Sequence, residues 1–260
     1  MNNKPLNWKR DGAVIVTNLF KKKHIRIVIK KLEILESKGN IIKELVFDKI
    51  GNKKKLRYVP NASTHIEIVK EMLNSNILNF ASKLLKSNVY VLDTDIHIRS
   101  AGNTNETPPH QDSYLKYLKS GHEHMLTCYV ALTNITIKSS PMKIIKGSHL
   151  QKTLNHKKSL ISGFSTVIEE TADKLSSDIL KNEHDVILNA GDALFFHSKI
   201  IHYTKNRLSI KNKERKAMSI RVCDENAVFC EKRRKLVNKN ISYNRKNSIK
   251  LGLTNTTKLI

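Results

Sequence analysis

The chain has few of the features that mark secreted or membrane proteins. It contains only three cysteines, Cys128, Cys223 and Cys230, which form neither a Cys-x-x-Cys motif nor an even disulfide framework. A reduced compartment suits such a thiol set. No run of about 18 apolar residues is present, so the sequence predicts no membrane-spanning helix. Residues 1–10 lack the apolar segment of a signal peptide, and we expect a cytoplasmic protein.

Acidic residues are also scarce. The chain has 23 Asp and Glu against 47 Lys and Arg, which gives a formal net charge of +24. A charge of this size is typical of proteins that bind nucleic acid, a membrane surface or an acidic substrate. However, the basic residues are spread along the whole chain, and Lys, Asn and Ile are all over-used, as in proteins from AT-rich genomes. This spread favours a compositional origin over a dedicated binding surface.

The chain of 260 residues is long enough to bury a large core. We expect one domain over residues 1–230 and a basic tail over residues 231–260, which contains Lys232-Arg233-Arg234-Lys235. Residues 150–184 are polar, with a helical stretch near 172–180, and are interpreted as an insertion or lid.

Hydrophobic spacing predicts two helices ahead of a region of strands. Residues 21–38 carry apolar side chains at helical spacing, and Gly39 is a natural stop. Thr64-His65-Ile66-Glu67 matches a capping box that opens a second helix, with an apolar stripe from Val69 to Leu84. We expect both helices to serve as scaffold.

From residue 89 onward, side chains alternate with a period of about two, which is typical of strands. One strand has a polar face formed by Asp95, His97 and Arg99. The other predicted strands lie at 13–16, 125–132, 142–146, 185–188, 192–197 and 216–222, with strand or loop around Val46 and Tyr58. Strands that follow helices predict an α+β fold with a β-sandwich or barrel at its centre.

His110, Asp112 and His202 form a candidate metal-binding set. His110 and Asp112 are separated by one residue, so on an extended segment both side chains point to the same side. Two imidazoles and one carboxylate hold a non-haem Fe(II) on one face and leave positions open for a co-substrate and O2. A His-x-Asp step alone occurs by chance in many loops, so the interpretation depends on the motifs around it.

These motifs resemble, in order, those of the phytanoyl-CoA dioxygenase family of Fe(II)/2-oxoglutarate-dependent oxygenases, over roughly residues 8–222. They are Asp11-Gly12-Ala13-Val14-Ile15-Val16, His110-Gln111-Asp112-Ser113, Val130-Ala131-Leu132-Thr133-Asn134-Ile135-Thr136, Ser140-Pro141, Gly147-Ser148-His149, Gly191-Asp192-Ala193-Leu194-Phe195-Phe196-His197 with His202, and Arg215-Lys216-Ala217-Met218-Ser219-Ile220-Arg221. The resemblance implies a double-stranded β-helix, a cupin-like jelly roll with N-terminal helices packed outside. It also implies Fe(II), 2-oxoglutarate and O2 as cofactor and co-substrates.

The resemblance assigns roles to individual residues. The family has its third metal ligand in a His-x-Ser/Thr step, which the segment His202-Tyr203-Thr204 matches better than His197 does. Arg215 falls where the family binds the far carboxylate of 2-oxoglutarate, and Thr204 is placed to donate a hydrogen bond to the same carboxylate. The interval between His202 and Arg215 is longer than is usual in the family, so Arg221 stays an alternative. Tyr129 falls where the family has an aromatic residue near the co-substrate.

The expected reaction also follows from the resemblance. Related halogenases lack the carboxylate that Asp112 provides, so hydroxylation of an unactivated C–H is favoured, with release of succinate and CO2. Arg99 is the candidate contact for a small-molecule substrate, with an anionic one among the options, although its strand face could instead meet water. His149 is interpreted as structural.

Two other functions stay open on the sequence alone. A nucleic-acid demethylating dioxygenase would share the iron chemistry and fit the charge of +24, and Arg215 and Arg221 resemble the arginine pair of that family. The Gly-Ser-His turn and the lack of a basic-aromatic cluster argue against it. A non-catalytic basic jelly-roll binding protein is the second alternative, which the complete ligand set disfavours.

Overall fold

The structure is a computed structural model, and it describes residues 5–39, 42–73, 75–101, 106–112, 118–120, 124–158, 166–169, 177–205 and 213–229. The predicted tail at 231–260 lies outside these residues. In chain order, the elements are α1 (Trp8–Asp11), β1 (Ala13–Val16), α2 (Lys22–Ser37), β2 (Val46–Ile50), β3 (Lys53–Val59), α3 (Ala62–His65), α4 (Glu67–Met72), α5 (Ser75–Leu85), β4 (Val89–Arg99), β5 (Thr107–His110), β6 (Leu118–Ser120), β7 (Met125–Ala131), β8 (Lys143–Ile145), β9 (His156–Lys158), β10 (Thr166–Ile168), α6 (Ser177–Leu180), β11 (Glu183–Asp185), β12 (Ala193–His197), β13 (His202–Thr204), β14 (Arg215–Asp224) and β15 (Val228–Phe229).

Two antiparallel sheets face each other. Within the described residues, the larger sheet has the strand order β1-β12-β7-β14-β4-β3-β2, and the smaller has the order β11-β8-β13-β5. Apolar side chains from both sheets meet in one cluster, which includes Leu194 and Phe196 from the larger sheet and Ile144 from the smaller. This arrangement agrees with the predicted jelly roll.

The N-terminal helices cover the other face of the larger sheet. Val28 and Leu32 of α2 and Ile77 of α5 belong to the same buried cluster as Ile96 of β4 and Ile220 of β14. Burial of this apolar surface contributes roughly 25 cal/mol per Å² to the free energy of folding. Because side chains alternate along a strand, the helices take the apolar face of β4 and β14 and leave the polar face turned towards the smaller sheet.

Several predicted elements agree with the structure, and one helix does not. The helix predicted at 21–38 corresponds to α2, and the strand with the polar face corresponds to β4. The prediction of a single second helix was wrong, because the chain forms three shorter helices there, α3, α4 and α5. Ile66 has an extended backbone (φ −130°), which ends α3, and its side chain is buried. Thr64 therefore lies inside α3 and is not an N-cap residue.

The region predicted as an insertion or lid is described only in parts. Strands β9 and β10 pair with each other, and α6 follows them. Leu154, Ile179 and Leu180 pack against Ile145 and Tyr203 on the outer face of the smaller sheet. The predicted strand at 185–188 is displaced, because β11 pairs with β8 over residues 183–185. Among the described residues, no helix is long and apolar enough to span a bilayer.

Gly12 fits tightly where α1 turns into β1. Its φ of +72° is a left-handed conformation that disfavours side chains, and a Cβ there would lie 2.4 Å from Nδ1 of His149. The ring of His149 therefore packs directly over Gly12, which agrees with the structural role expected for this histidine.

Gly12→Ala should lower the free energy of unfolding by about 2–4 kcal/mol, because both backbone strain and a steric clash oppose the new methyl group. Gly51→Ala is the matched control. Gly51 also has a positive φ, +57°, but a Cβ there would meet no atom within 4 Å. The control should lose only about 1–2 kcal/mol in urea unfolding. Equal losses for the two variants would contradict the close approach of His149.

Candidate functional site

Three neighbouring strands present polar side chains on the face that turns towards the smaller sheet. Along the pairing of β14 with β4, Arg221 lies opposite Asp93, Ser219 opposite Asp95, Ala217 opposite His97, and Arg215 opposite Arg99. On the other side of β14, strand β7 places Thr127 opposite Arg221 and Tyr129 opposite Ser219. One face of β14 thus carries an arginine at each end and two small residues between them.

Two histidines from the smaller sheet meet next to this face. His110 of β5 and His202 of β13 are directly paired in the ladder, with their ring centroids 4.1 Å apart. Nδ1 of each ring lies 2.9 Å from a backbone carbonyl oxygen, that of Pro108 for His110 and that of Ile200 for His202. A carbonyl only accepts, so Nδ1 carries the proton, and Nε2 has the lone pair that a metal ligand needs.

Burial favours the neutral form of both rings. Burial, and then the neighbouring His202, lower the pKa of His110 well below its usual value. Burial also lowers the pKa of His202, although the carboxylate of Asp112 opposes this shift. The pair is therefore ready to bind a cation without first losing protons.

Asp112 is buried and held on both carboxylate oxygens. Oδ1 accepts a hydrogen bond from Nε of Arg221 at 2.7 Å, and Oδ2 accepts one from the hydroxyl of Thr127 at 2.5 Å. Burial by itself would raise the pKa of Asp112, but the charge of Arg221 and these hydrogen bonds outweigh it and lower the pKa. Asp112 is thus an ionised carboxylate in a fixed orientation.

The donor set fits a divalent cation in its chemistry. Within the described part of the chain, no three His, Cys, Asp or Glu side chains converge closely enough to bind an ion as they stand. A carboxylate has about four lone-pair sites, however, and Asp112 uses two of them. The remaining sites allow Asp112 to join His110 and His202 as a ligand while keeping its partners.

His197 occupies a different place. It lies at the end of β12, where its Nδ1 accepts a hydrogen bond from the backbone N–H of Lys199 at 3.1 Å. Its ring lies against Trp8 and His149, at centroid distances of 6.0 and 5.5 Å. The structure thus brings His202, and not His197, opposite His110.

Arg215 and Arg99 form the cationic end of the polar face. Both are buried, and one Arg215 NH group donates to the carbonyl of Ser140 at 2.7 Å. Burial, and then the charge of Arg215, lower the pKa of Arg99 to about 10, while Glu106 opposes this. Burial raises the pKa of Tyr129, and the positive charge of Arg215 opposes the rise. The guanidinium of Arg215 is thus near enough to Tyr129 for its charge to act on the phenol.

Sequence reasoning missed two features of this site. Arg221 was only an alternative for the co-substrate, but it is bonded to Asp112, and its cross-strand partner Asp93 was not considered. The role of Gln111, between the two candidate ligands, was also missed. Asp93 continues the alternation of Asp95 along β4, which was a usable signal. The contacts of Gln111 join distant segments, and no local pattern indicates them.

Gln111 links the candidate ligand segment, residues 110–112, to the covering segment around Leu154, which packs on the outer face of the smaller sheet. Its side chain donates to the carbonyl of Lys199 at 2.7 Å and accepts from the N–H of Leu154 at 3.0 Å. Its backbone N–H donates to Nε2 of His156 at 3.1 Å. Since Gln111 points away from the two candidate ligands beside it, the covering segment is anchored to the back of the site.

Comparisons with known proteins agree with this fold. The family model for phytanoyl-CoA dioxygenase (PhyH) matches residues 8–217. No curated protein sequence matches the chain significantly. Many solved structures do match.

Three solved structures show how far the fold is shared. The epimerase SnoN, in complex with Fe3+, alpha ketoglutarate and nogalamycin RO, aligns with a TM-score of 0.67 at 18% identity, over 89% of this chain and 86% of its own. EctD from S. alaskensis, with 2-oxoglutarate and 5-hydroxyectoine, gives 0.66 at 13%, over 87% and 79%. The non-heme monooxygenase ThoJ gives 0.65 at 17%, over 95% and 97%. The predicted double-stranded β-helix is confirmed.

Gln111→Ala should destabilise the protein by on the order of 1–3 kcal/mol, because the N–H of Leu154 and the carbonyl of Lys199 lose their partner. Urea unfolding measures this loss. Hydrogen exchange at the amide of Leu154 should also speed up. Gln151→Ala is the control, because Gln151 is exposed and lies in the same segment. Unchanged exchange at Leu154 would show that Gln111 does not anchor the cover.

Proposed function

Because the chain belongs to the phytanoyl-CoA dioxygenase family, as its motifs predicted, we propose that it is an Fe(II)/2-oxoglutarate-dependent dioxygenase that hydroxylates an unactivated C–H of a small molecule. The reaction would release succinate and CO2. The observation that carries this proposal is the polar face of β14, which runs from Arg215 to Arg221 beside the paired rings of His110 and His202.

In this proposal, His110, Asp112 and His202 hold the iron. Bound Fe(II) would supply the redox chemistry through which O2 and 2-oxoglutarate together oxidise a C–H bond. The chain itself orients the ligands: backbone carbonyls fix the two imidazoles, and Arg221 and Thr127 fix the carboxylate. Loss of such partners typically lowers metal affinity or activity by about 10–100-fold.

The Arg215 end of the β14 face has the charge to bind the far carboxylate of a dianion such as 2-oxoglutarate. Ala217 and Ser219 lie between the two arginines, with Ala131 opposite Ala217, so small side chains line the middle of the row. Arg215 presents a planar guanidinium that can bind a carboxylate through two hydrogen bonds. We assign Arg215 to the far carboxylate of 2-oxoglutarate, with Tyr129 and the buried hydroxyl of Thr204 as further contacts.

The solved structures support the choice of cofactor and co-substrate. SnoN was crystallised with Fe3+ and alpha ketoglutarate, and EctD with 2-oxoglutarate. For the substrate, Arg99 stays the candidate contact, since it lies on the same polar face and favours an anionic group. Asp112 supports hydroxylation over halogenation, because it supplies the carboxylate that related halogenases lack.

Replacement of His110, Asp112 or His202 by Ala should abolish 2-oxoglutarate-dependent turnover and leave the fold largely intact. The assay is succinate release with Fe(II), 2-oxoglutarate and a panel of small anionic and zwitterionic compounds. His197→Ala is the control and should retain activity. The ligand assignment would be wrong if His202→Ala kept full activity while His197→Ala lost it.

Arg215→Ala should raise the KM for 2-oxoglutarate by about 30-fold or more, because loss of one partner of a buried charge pair costs on the order of 2–5 kcal/mol. Steady-state kinetics with varied 2-oxoglutarate measures this change. Lys216→Ala, which alters the neighbouring residue on the opposite face of β14, is the matched control. An unchanged KM in Arg215→Ala would remove Arg215 from the co-substrate site.

A further inference from the structure

One guanidinium, that of Arg221, joins three carboxylates. Its Nε donates to Oδ1 of Asp112 at 2.7 Å. Its NH1 donates to Oδ1 of Asp93 at 2.9 Å and to Oδ2 of Asp95 at 2.7 Å. Oδ1 of Asp95 in turn accepts the backbone N–H of Asn61 at 3.0 Å. A continuous chain of hydrogen bonds thus runs from Asn61, at the N-terminus of α3, to Asp112.

This cluster holds more negative than positive charge. The side chains of Asp93, Asp95 and Asp112 are 5%, 9% and 4% exposed, and that of Arg221 is 16% exposed. Within these four side chains, three carboxylates therefore share one guanidinium. Buried charges are tolerated when they are paired and hydrogen-bonded, as these are. A divalent cation held by Asp112, His110 and His202 would add positive charge beside the three carboxylates.

We infer that Asp93, Asp95 and Arg221 form a positioning unit that orients the carboxylate of Asp112 for metal binding. Asp93 and Asp95 hold the NH1 end of the guanidinium, so that its Nε is directed at Asp112. Thr127 holds the other oxygen of Asp112, and the carboxylate cannot rotate without breaking one of these bonds. The inference rests on the proposed function, because it takes Asp112 as a ligand.

The positioning unit is separate from Arg215, the proposed contact for the far carboxylate of 2-oxoglutarate. Arg215 lies six residues away on the same face of β14, bonded to Ser140. If Arg221 acts through Asp112, its loss weakens metal binding even when 2-oxoglutarate is absent. If Arg221 instead only contacts 2-oxoglutarate, its loss changes the KM for the co-substrate and leaves binding of the metal alone unchanged.

The test is an anaerobic calorimetric titration of the full chain with Mn(II) alone, without 2-oxoglutarate. Arg221→Met should weaken Mn(II) binding by about 10–100-fold, the range typical for partners of metal ligands. Asp95→Asn should weaken binding by a smaller factor. It keeps the shape of the side chain and an acceptor for Asn61, so it carries the test even if Arg221→Met does not fold.

The matched controls come from a second, partly buried ion cluster, on β8 and β11. Nζ of Lys143 lies 2.7 Å from Oε1 of Glu183, and the hydroxyl of Tyr203 donates to the same carboxylate. Lys143→Met, like Arg221→Met, replaces a cation by methionine. Glu183→Gln, like Asp95→Asn, replaces a carboxylate by an amide, and both of these control changes lie outside the site. Both should bind Mn(II) with the affinity of the wild type, which separates positioning of Asp112 from a general loss of stability.

The variant His202→Ala distinguishes a failure of the positioning inference from a failure of the metal site itself. It should lose Mn(II) binding. If it does, but Arg221→Met and Asp95→Asn bind as tightly as the wild type or more tightly, the positioning inference is overturned and the proposed function stands. If the wild type does not bind Mn(II), or His202→Ala binds it equally well, the metal site itself fails, and the inference fails with it.

Discussion

The pairing of β5 with β13 is the contact on which the candidate site depends. It makes His110 and His202 direct partners in a ladder, so the backbone fixes how far apart the two rings can be. The carbonyls of Pro108 and Ile200 then select the same tautomer in both rings. Each ring is thus oriented by a carbonyl two residues earlier in its own segment. The larger sheet contributes the charges that surround the pair.

Alternation along β4 and β14 divides the larger sheet into two chemically different faces. One face carries Ile96 and Ile220 into the core beneath the helices, and the other carries Asp95 and Arg221 towards the smaller sheet. A shift of one residue in either strand would exchange the two faces and bury the charges among the helices. Burial of the apolar face beneath the helices therefore disfavours such a shift and keeps the polar side chains facing the smaller sheet.

Sequence patterns predicted the parts of this fold that depend on local periodicity. The helix α2 and the strands β4, β7, β12 and β14 have long regular patterns, and these were located correctly. The break at Ile66 was missed, because the residues around it match a capping box, and the buried packing of its side chain accompanies an extended backbone. Strand β5 was missed because two of its residues are prolines, which lower strand propensity.

The candidate site shows the same limit. The order of the sequence motifs predicted that His110, Asp112 and His202 lie together, because these motifs follow one another along the chain in the order that the family shows. The bond between Arg221 and Asp112 joins residues 109 positions apart, and Arg221 fits both a co-substrate contact and a partner of Asp112 when read from spacing alone. Only the register of β14 against β4 and β7 shows that it lies between Asp93 and Thr127.

The prolines of β5 have a consequence for the behaviour of the protein in solution. Among the described residues, β5 is the last hydrogen-bonded strand of the smaller sheet, with β10 packed close to it, and such edges are where strands of other molecules can add and start aggregation. Pro108 and Pro109 have no N–H to donate, and the carbonyl of Pro108 is already bonded to the ring of His110. The residues that orient a candidate ligand thus also make this edge a poor template for intermolecular sheet growth.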